Sequence, residues 1–470
     1  MHDGREPPDL LTTVTTTLEQ LRAGQLSGAR QLKLACGLTE FPREILDLAD
    51  TLEVLDLSGN ALCALPDDFA RLRKLRILFA SDNPFTELPE VLGQCPQLSM
   101  VGFKANRIRR VAGNALPPRL RWLILTDNEL DALPPQIGDC THLQKLMLAG
   151  NRLRFLPEEL AGCSRLELLR LAANRLDELP AWLFRMPRLA WLAFAGNPFA
   201  DALEGAALAD TPIAEIGWDD LRLQEQLGEG ASGLIYRAEL GGQHRAPRSV
   251  AVKLFKGAVT SDGLPDCEMA ACIRAGDHPN LIAVAGKVKG HPANAHGLVM
   301  ELIEPQFRNL AGPPSFESCT RDIYEAGVRF KPADVVEMAY GIASAACHLH
   351  RRGVMHGDLY AHNILHDGEA RVLLGDFGAA SFYSTDNREW SAALERLEVR
   401  AYGYLLEELI DRCDRCVNHD SGDRDSSIHQ PGVAEKLAGL RDSCLNDDVK
   451  SRPLFKQIAT DLLALKARSC

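Results

Sequence analysis

Long hydrophobic runs are missing from this sequence, and so is any excess of positive charge. No stretch of about 18 apolar residues occurs, so we expect no membrane-spanning helix. The first residues, Met1 to Pro8, contain no basic start followed by an apolar core, so we expect no secretory signal. The 52 Lys and Arg residues against 64 Asp and Glu give a net charge of -12, which argues against binding to nucleic acid or to anionic membranes.

Cysteines are present, but not in the pattern of a disulfide framework. They number 13, an odd count, and are spread along the whole chain, which favours a reducing compartment such as the cytoplasm. Cys413 and Cys416 have His419 close by, but the second ligand pair of a structural zinc site is missing. We therefore expect a cytoplasmic protein without structural zinc.

An internal repeat occupies the first half of the chain. Its marker is an asparagine that recurs every 22 or 23 residues, at Asn60, Asn83, Asn106, Asn128, Asn151, Asn174 and Asn197. Each asparagine follows a Leu-x-x-Leu-x-Leu pattern with small substitutions, and a degenerate first copy runs from Leu32 to Pro42. This pattern resembles a leucine-rich repeat array of about eight units. Such a repeat predicts one strand per unit in a parallel sheet, a leucine core, and asparagines that satisfy buried backbone groups.

The concave face of such a sheet is identified by the alternation of side chains along each strand. The two outward rows read Val54, Ile77, Met100, Trp122, Lys145, Leu168 and Trp191, and Asp56, Phe79, Gly102, Ile124, Met147, Arg170 and Ala193. These rows are more apolar than a solvated sheet face, and Trp, Met and Arg are common interface anchors. We predict that Trp122, Met147, Arg170 and Trp191 bind a polypeptide, either another protein or part of this chain. The alternative is that neighbouring loops or the second half of the chain merely cover them.

A polar stretch from His356 to Gly378 dominates the second half of the chain. It contains His-Gly-Asp-Leu-Tyr-Ala-His-Asn-Ile-Leu and, after a short strand, Gly-Asp-Phe-Gly. Two carboxylates and an amide at this spacing suit phosphoryl transfer, in which Mg²⁺ neutralises nucleotide phosphates. We expect Asp376 to hold one metal ion, Asn363 to hold a second, and Asp358 to accept or orient the proton of the attacking hydroxyl.

Further motifs precede this stretch in a fixed order. They are Leu227-Gly-Glu-Gly-Ala-Ser-Gly-Leu-Ile-Tyr236, Val250-Ala-Val-Lys253, His278-Pro-Asn-Leu281 and Leu298-Val-Met-Glu-Leu302. Residues 219–470 therefore resemble a eukaryotic-type protein kinase domain. The resemblance implies ATP and Mg²⁺ as cofactors, with phosphates over Gly228, Gly230 and Gly233. It also implies that Lys253 contacts the phosphates and pairs with Glu268, and that Glu301 and Leu302 receive the adenine.

The kinase-like half also departs from the family at several positions. Gly357 stands where an arginine is common, and Tyr360 stands where serine/threonine kinases place a lysine that contacts the γ-phosphate. We consider His362 as a partial substitute for that lysine. Only residues 379–397 separate the Asp-Phe-Gly motif from Glu398, which resembles the start of the central helix of the large lobe.

One arginine of the kinase-like half lacks the partner that it has in the kinase family. Arg452 matches an arginine that pairs with the glutamate of an Ala-Pro-Glu motif, and this sequence lacks that motif. We propose Glu389 or Glu395 as its partner.

The sequence thus predicts an α/β leucine-rich repeat solenoid, or horseshoe, followed by an α+β two-lobed protein-kinase-like domain. The expected divisions are a leader and N-terminal cap at 1–26, repeats at 27–204, a connection at 205–218 and the kinase-like domain at 219–470. The expected function is ATP-dependent phosphorylation of Ser or Thr in a protein that the repeats recruit. Two alternatives stay open: a nucleotide-binding pseudokinase scaffold, and a small-molecule phosphotransferase, because the loop at Asp358 also resembles that of aminoglycoside and choline phosphotransferases.

Overall fold

The computed structural model describes residues 18–210, 213–230, 232–242, 245–256, 259–260, 262–414 and 432–467. The predicted leader, Cys416 and His419 lie outside these residues. The first described element is a short helix, α1 (Leu18–Arg22), whose Leu21 is buried against the first repeat. It corresponds to the predicted cap.

The repeats form a solenoid with one short strand in each unit. The strands are β1 (Gln31–Lys33), β2 (Val54–Asp56), β3 (Ile77–Phe79), β4 (Met100–Gly102), β5 (Trp122–Ile124), β6 (Lys145–Met147), β7 (Leu168–Arg170) and β8 (Trp191–Ala193). They pair in parallel and in sequence order in one eight-stranded sheet. Short 3-10 helices return the chain on the convex side, at Arg43–Leu48, Phe69–Arg71, Glu90–Gln94, Gly113–Ala115, Pro135–Asp139, Glu158–Gly162 and Ala181–Arg185. The predicted solenoid is confirmed.

The repeated asparagines form a ladder of hydrogen bonds at the turn out of each strand. The side-chain oxygen of Asn128 accepts a bond from the backbone N–H of Ile108 at 2.9 Å. Its amide nitrogen donates to the carbonyl oxygens of Phe103, Leu125 and Thr126 at 2.8, 3.1 and 3.2 Å. The asparagine therefore satisfies buried backbone groups of two consecutive repeats, as the spacing predicts.

The segment after the last repeat is built into the second half of the molecule. Helix α2 (Asp201–Asp210) follows β8, and β9 (Glu215–Gly217) then joins the next sheet. The predicted connection at 205–218 is therefore largely structured. The 3-10 turn Trp218–Asp220 leads from β9 into the following strand.

A small lobe contains a six-stranded sheet and one helix. Its other strands are β10 (Leu221–Glu229), β11 (Gly233–Gly242), β12 (Arg245–Phe255), β13 (Val284–Lys289) and β14 (Gly297–Glu301). The strand order in the sheet is β10, β11, β12, β14, β13, β9. Helix α3 (Pro265–Ala275) begins with a proline in its first turn and ends before Gly276, whose φ of 61° suits glycine.

A larger helical lobe follows. Its helices are α4 (Pro332–Arg351), α5 (Arg388–Asp411), α6 (Val433–Cys444) and α7 (Phe455–Lys466), and its short strands are β15 (Arg308–Asn309), β16 (Val354–Met355), β17 (Ile364–His366), β18 (Val372–Leu374) and β19 (Ser381–Phe382). Single 3-10 turns occur at Ala361–Asn363 and Val449–Ser451. The two-lobed fold that the motifs predict is confirmed. Among the described helices, none combines the length and apolar character needed to span a bilayer.

The asparagine ladder leads to a prediction about stability. Asn128→Ala leaves the buried N–H of Ile108 and the carbonyl oxygen of Phe103 without partners, so the free energy of unfolding should fall by about 2–4 kcal/mol. Denaturant titration of the variant and the wild type measures this change. The control is Asn114→Ala, which removes an exposed bond to Glu90 and should change stability by less than about 0.5 kcal/mol. Equal losses in the two variants would contradict a structural role for the ladder.

Candidate active site

A buried ion pair joins the small-lobe sheet to α3. Lys253 lies on β12 and Glu268 in the first turns of α3, and their side chains form a salt bridge. The Lys253 side chain is 13% exposed and that of Glu268 is 3% exposed. Burial alone would lower the pKa of Lys253, but the charge of Glu268 and its hydrogen bond outweigh this and raise the pKa, and Asp376 adds to the effect. The lysine is therefore held as a cation close to two carboxylates.

The three predicted phosphate-loop glycines lie where β10 turns into β11. The N–H of Gly230 donates to the carbonyl oxygen of Gly233 at 2.9 Å and closes the turn. No described atom lies within 4 Å of where a Cβ would be on Gly228 or Gly230, so these residues face open space. Gly233 is tightly packed, because a Cβ there would lie 2.4 Å from the Leu254 carbonyl oxygen. The loop is therefore anchored at one end and open where phosphates are expected to approach.

The predicted adenine site is at the end of β14. Glu301 is the last residue of this strand, and its N–H donates to the carbonyl oxygen of Ala283 at 3.0 Å. Leu302 follows directly, at the crossing from the small to the large lobe. Both residues thus lie where the two lobes join.

The loop of residues 356–363, named the catalytic loop after its predicted role, holds Asp358 and Asn363 in direct contact. The Asn363 amide nitrogen donates to Asp358 Oδ2 at 2.8 Å and to the Asp358 carbonyl oxygen at 2.9 Å. Because both bonds use the nitrogen, the amide oxygen is the atom suited to a metal ion. The loop is further tied by His356, whose Nε2 lies 2.9 Å from the Gly375 carbonyl oxygen.

Asp376 presents a carboxylate from a strained turn. Its φ of 54° is in the left-handed region, which is uncommon for a residue other than glycine. Its Oδ1 accepts a bond from the Gly378 N–H at 3.1 Å, and the residue is exposed. The next residue, Phe377, is buried in the same apolar cluster as Ala270 and Ala271 of α3. Hard oxygen ligands at Asp376 and Asn363 fit a magnesium ion.

Glu398 anchors the catalytic loop from the large lobe. Its Oε1 accepts from the Gly357 N–H at 2.6 Å, and its Oε2 accepts from the His356 N–H at 3.3 Å and lies 2.8 Å from His350 Nε2. Burial would raise the pKa of Glu398, but the bond and charge of His350, the charge of His356 and the bond from the Gly357 N–H together outweigh it and lower the pKa. The prediction that Glu398 starts the helix is wrong, because α5 begins at Arg388, where Asn387 caps it.

The repeat array contacts the catalytic loop directly through Arg170. Arg170 lies on β7 and is 1% exposed. Its Nε donates to Asp262 Oδ1 at 2.7 Å, its Nη1 donates to the Gly357 carbonyl oxygen at 2.9 Å, and its Nη2 donates to Asp358 Oδ1. Burial would raise the pKa of Asp358, but the charges of Arg170, His362 and His356 and the bond from Asn363 together outweigh it and lower the pKa.

Trp191 makes the second close contact between the repeats and the catalytic loop. Its indole N–H donates to the Leu359 carbonyl oxygen at 3.1 Å. Its ring stacks on Tyr360, with centroids 4.1 Å apart and an interplanar angle of 4°. Tyr360 is buried, and burial raises its pKa well above the usual value. The tyrosine that stands where a lysine is common therefore packs against the repeats.

His362, suggested above as a partial substitute for the lysine that is missing at position 360, binds Asp322 instead. His362 Nδ1 lies 2.8 Å from Asp322 Oδ1, and the His362 N–H donates to Asp322 Oδ2 at 3.0 Å. Burial would lower the pKa of His362, but the hydrogen bond and charge of Asp322, together with the charges of Asp358 and Asp376, outweigh it and raise the pKa. The structure does not support the suggestion that His362 contacts the γ-phosphate.

The other two predicted interface anchors lie at the edge of the same contact. The Trp122 indole nitrogen is 3.3 Å from the sulfur of Met147, and Met147 packs against the apolar cluster of the large lobe. The concave side around Arg170 and Trp191 is therefore covered by the second half of this chain, and the polypeptide that these two residues contact is part of the chain itself. That Trp122, Met147, Arg170 and Trp191 bind another protein stays a prediction.

Arg452 donates to backbone carbonyl oxygens, one of them in the repeats, and not to a carboxylate. It donates to the carbonyl oxygens of Pro187, Arg396 and Asn446 at 2.6, 3.0 and 2.8 Å. Glu395 accepts instead from the Phe455 N–H at 2.7 Å. The predicted pairing of Arg452 with Glu389 or Glu395 is wrong, because backbone carbonyls occupy its guanidinium.

Two carboxylates at this site belong to no sequence motif. Asp262 precedes α3 and holds Arg170, while Asp322 holds His362. Neither has a neighbour pattern that would have marked it in the sequence. Their place in the site follows only from the tertiary structure, which brings distant segments of the chain together.

Comparisons with known proteins agree with this architecture. A family model described as protein tyrosine and serine/threonine kinase matches residues 221–403. Leucine-rich repeat models match residues 51–72, 118–176 and 141–199.

Similar proteins are kinases and a growth factor receptor. The serine/threonine-protein kinase PITSLRE of Drosophila melanogaster is 25% identical over 40% of this chain and 19% of its own length. Fibroblast growth factor receptor 1 of Pleurodeles waltl is 27% identical over 57% of this chain and 37% of its own length. The serine/threonine-protein kinase CTR1 of Arabidopsis thaliana is 27% identical over 42% of this chain and 24% of its own length. The matches thus span about a fifth to two fifths of the length of these relatives. The family models show that this chain combines leucine-rich repeats with a protein kinase domain.

Proposed function

We propose that this chain is a protein kinase that transfers the γ-phosphoryl group of ATP to Ser or Thr of a protein, with Mg²⁺ as the metal. The observation that carries the proposal is the arrangement of the charged groups. A buried Lys253–Glu268 ion pair lies near Asp376, and Asp358 is bonded to Asn363 in the adjoining loop. These are the groups that phosphoryl transfer needs to position a nucleotide and to neutralise its charge.

Each residue has a distinct role in this proposal. Lys253 holds the α and β phosphates under the glycine loop, and Glu268 keeps its ammonium in place. Asp376 and Asn363 hold magnesium, which neutralises charge as the γ-phosphoryl group leaves. Asp358 orients the acceptor hydroxyl and takes its proton.

The serine/threonine assignment is supported by several relatives that are serine/threonine-protein kinases. The matching family model covers tyrosine kinases as well, so the acceptor amino acid is part of the proposal. A cytoplasmic location fits the cysteines, since those in the described part of the chain are free thiols. Recruitment of a protein would use repeat surfaces away from the part of the concave side that the second half of this chain covers.

The metal and phosphate assignments predict a large loss of transfer in two variants. Lys253→Met and Asp376→Asn should each lower the rate of γ-phosphate transfer about 100-fold or more, since each removes a group that stabilises developing charge. Transfer of labelled phosphate from ATP with Mg²⁺ to casein, or to the chain itself, measures the rate.

Matched controls lie on exposed positions of the same lobes. Lys289→Met and Asp386→Asn each remove one exposed charge and should retain wild-type rates. Most of the activity surviving in Asp376→Asn would overturn its assignment as the metal ligand. No transfer by the wild type, together with Mg²⁺-dependent nucleotide binding, would favour the pseudokinase alternative.

A small-molecule phosphotransferase is a second candidate because access to Asp358 is restricted. The Asp358 side chain is 17% exposed, and the neighbouring Leu359 and Tyr360 are buried beneath the repeats. A narrow approach of this kind suits a small acceptor better than a folded protein.

The two candidates predict different acceptors for the same phosphoryl group. With a protein kinase, ADP release by the wild type should rise with casein and stay at its basal rate with an aminoglycoside or choline. Asp358→Asn should abolish the stimulated rate, because it removes the proton acceptor. A coupled assay of ADP release measures both arms, and stimulation by a small acceptor alone would replace the first candidate with the second.

A further inference from the structure

The contact between Arg170 and the catalytic loop brings together residues 188 positions apart. The guanidinium of Arg170 is fully enclosed and uses all three of its nitrogens, on Asp262, Gly357 and Asp358. A buried charge is costly unless it is paired and hydrogen-bonded, and here each nitrogen has an oxygen partner. The arginine therefore has one well-defined position beside Asp358.

The surrounding contact has the character of a domain core. One apolar cluster mixes repeat leucines with Met355, Leu394 and Leu397 of the kinase domain, and another mixes Leu168 and Trp191 with the helices of the large lobe. Trp191 is 1% exposed and lies between Tyr360 and Tyr404. Separating the two halves would expose these apolar side chains to water, which is unfavourable. The repeats therefore stay packed against the site.

The catalytic loop itself is shaped for this contact. Gly357 has a φ of 75°, and a Cβ there would lie 2.7 Å from the Leu192 carbonyl oxygen of β8 and 2.5 Å from that of Ala379. Any side chain at this position would clash with the backbone of the repeats. An arginine at this position is therefore excluded both by the docked array and by Ala379 of the kinase domain.

The Asp358 carboxylate is fixed from two sides. Arg170 binds Oδ1 from the repeats, and Asn363 binds Oδ2 from within the loop. The loop has no basic residue of its own at position 360, where Tyr360 is turned away to stack on Trp191. Arg170 supplies a guanidinium hydrogen-bonded to Asp358, next to a loop that has no basic side chain at position 360.

We propose that Arg170 is a positioning residue of the phosphoryl-transfer centre. From the repeat array it holds the carboxylate of Asp358 and the backbone of the catalytic loop in place, as a substitute for the missing basic side chain at position 360. This inference rests on the proposed function. It makes the active site a composite of the two halves of the chain.

The test compares substitutions of Arg170 in the full-length chain. Arg170→Met should lower kcat about 100-fold, because a preorganised charge is lost from the centre, and should leave the KM for ATP within about twofold. Arg170→Lys keeps the charge but cannot bind three acceptors at once, so its kcat should fall about tenfold. Steady-state release of ADP with casein as acceptor gives both constants.

Two controls separate positioning from stability. Glu167→Gln removes another buried charge of the same contact, where Glu167 accepts from Thr320 and Arg321, and leaves Arg170 in place. It should lower the Tm and keep a near wild-type kcat. Arg152→Met removes an exposed guanidinium from the array and should change neither quantity. If Arg170→Met does not fold, the comparison of Arg170→Lys with Glu167→Gln decides the question.

The outcomes distinguish this inference from the proposed function. A wild type that transfers no phosphate overturns the proposed function, and the role of Arg170 with it. An active wild type whose Arg170→Lys or Arg170→Met variant is as fast or faster overturns only the inference, and a rise would show that Arg170 masks Asp358. A loss of kcat in Glu167→Gln equal to that in Arg170→Lys, at an equal fall in Tm, would also overturn it by showing a purely structural effect.

Discussion

The guanidinium of Arg170, enclosed between two carboxylates and a backbone carbonyl, constrains the whole molecule. Because a buried unpaired charge is far more costly than a paired one, the repeats, the loop before α3 and the catalytic loop must keep their mutual positions to within hydrogen-bonding distance. The stacked ring of Trp191 and the shared apolar clusters supply the buried area that supports this arrangement. A solenoid and a kinase fold are thereby joined into one unit.

The departures of the kinase domain from its family have a common physical explanation in this contact. Gly357 gives the backbone of β8 room to approach, Tyr360 provides a flat surface for Trp191, and Arg452 donates to the Pro187 carbonyl oxygen. The short segment after the Asp-Phe-Gly motif lies against the array too, since Ser381 Oγ accepts a bond from the Phe194 N–H at 2.8 Å. In each case a residue of the kinase domain contacts the repeat array.

The fold and much of the candidate site were predictable from sequence because their signals are local. The spacing of asparagines such as Asn128 reports one structural unit per repeat, and that signal survives substitution at single positions. The ordered motifs likewise predicted that Lys253 would meet Glu268. The partners of Arg452 and His362 were not predictable, because they depend on segments that carry no motif, and the same holds for Asp262.

Sequence alone determined the periodicity of the solenoid, the order of the kinase motifs and the outward direction of Arg170 and Trp191 on their strands, since each follows from residue spacing along one element. Only the tertiary structure decided what those side chains meet. The contact between Arg170 and Asp358 joins residues 188 positions apart, and it depends on how two separately patterned surfaces fit together, which no local pattern encodes.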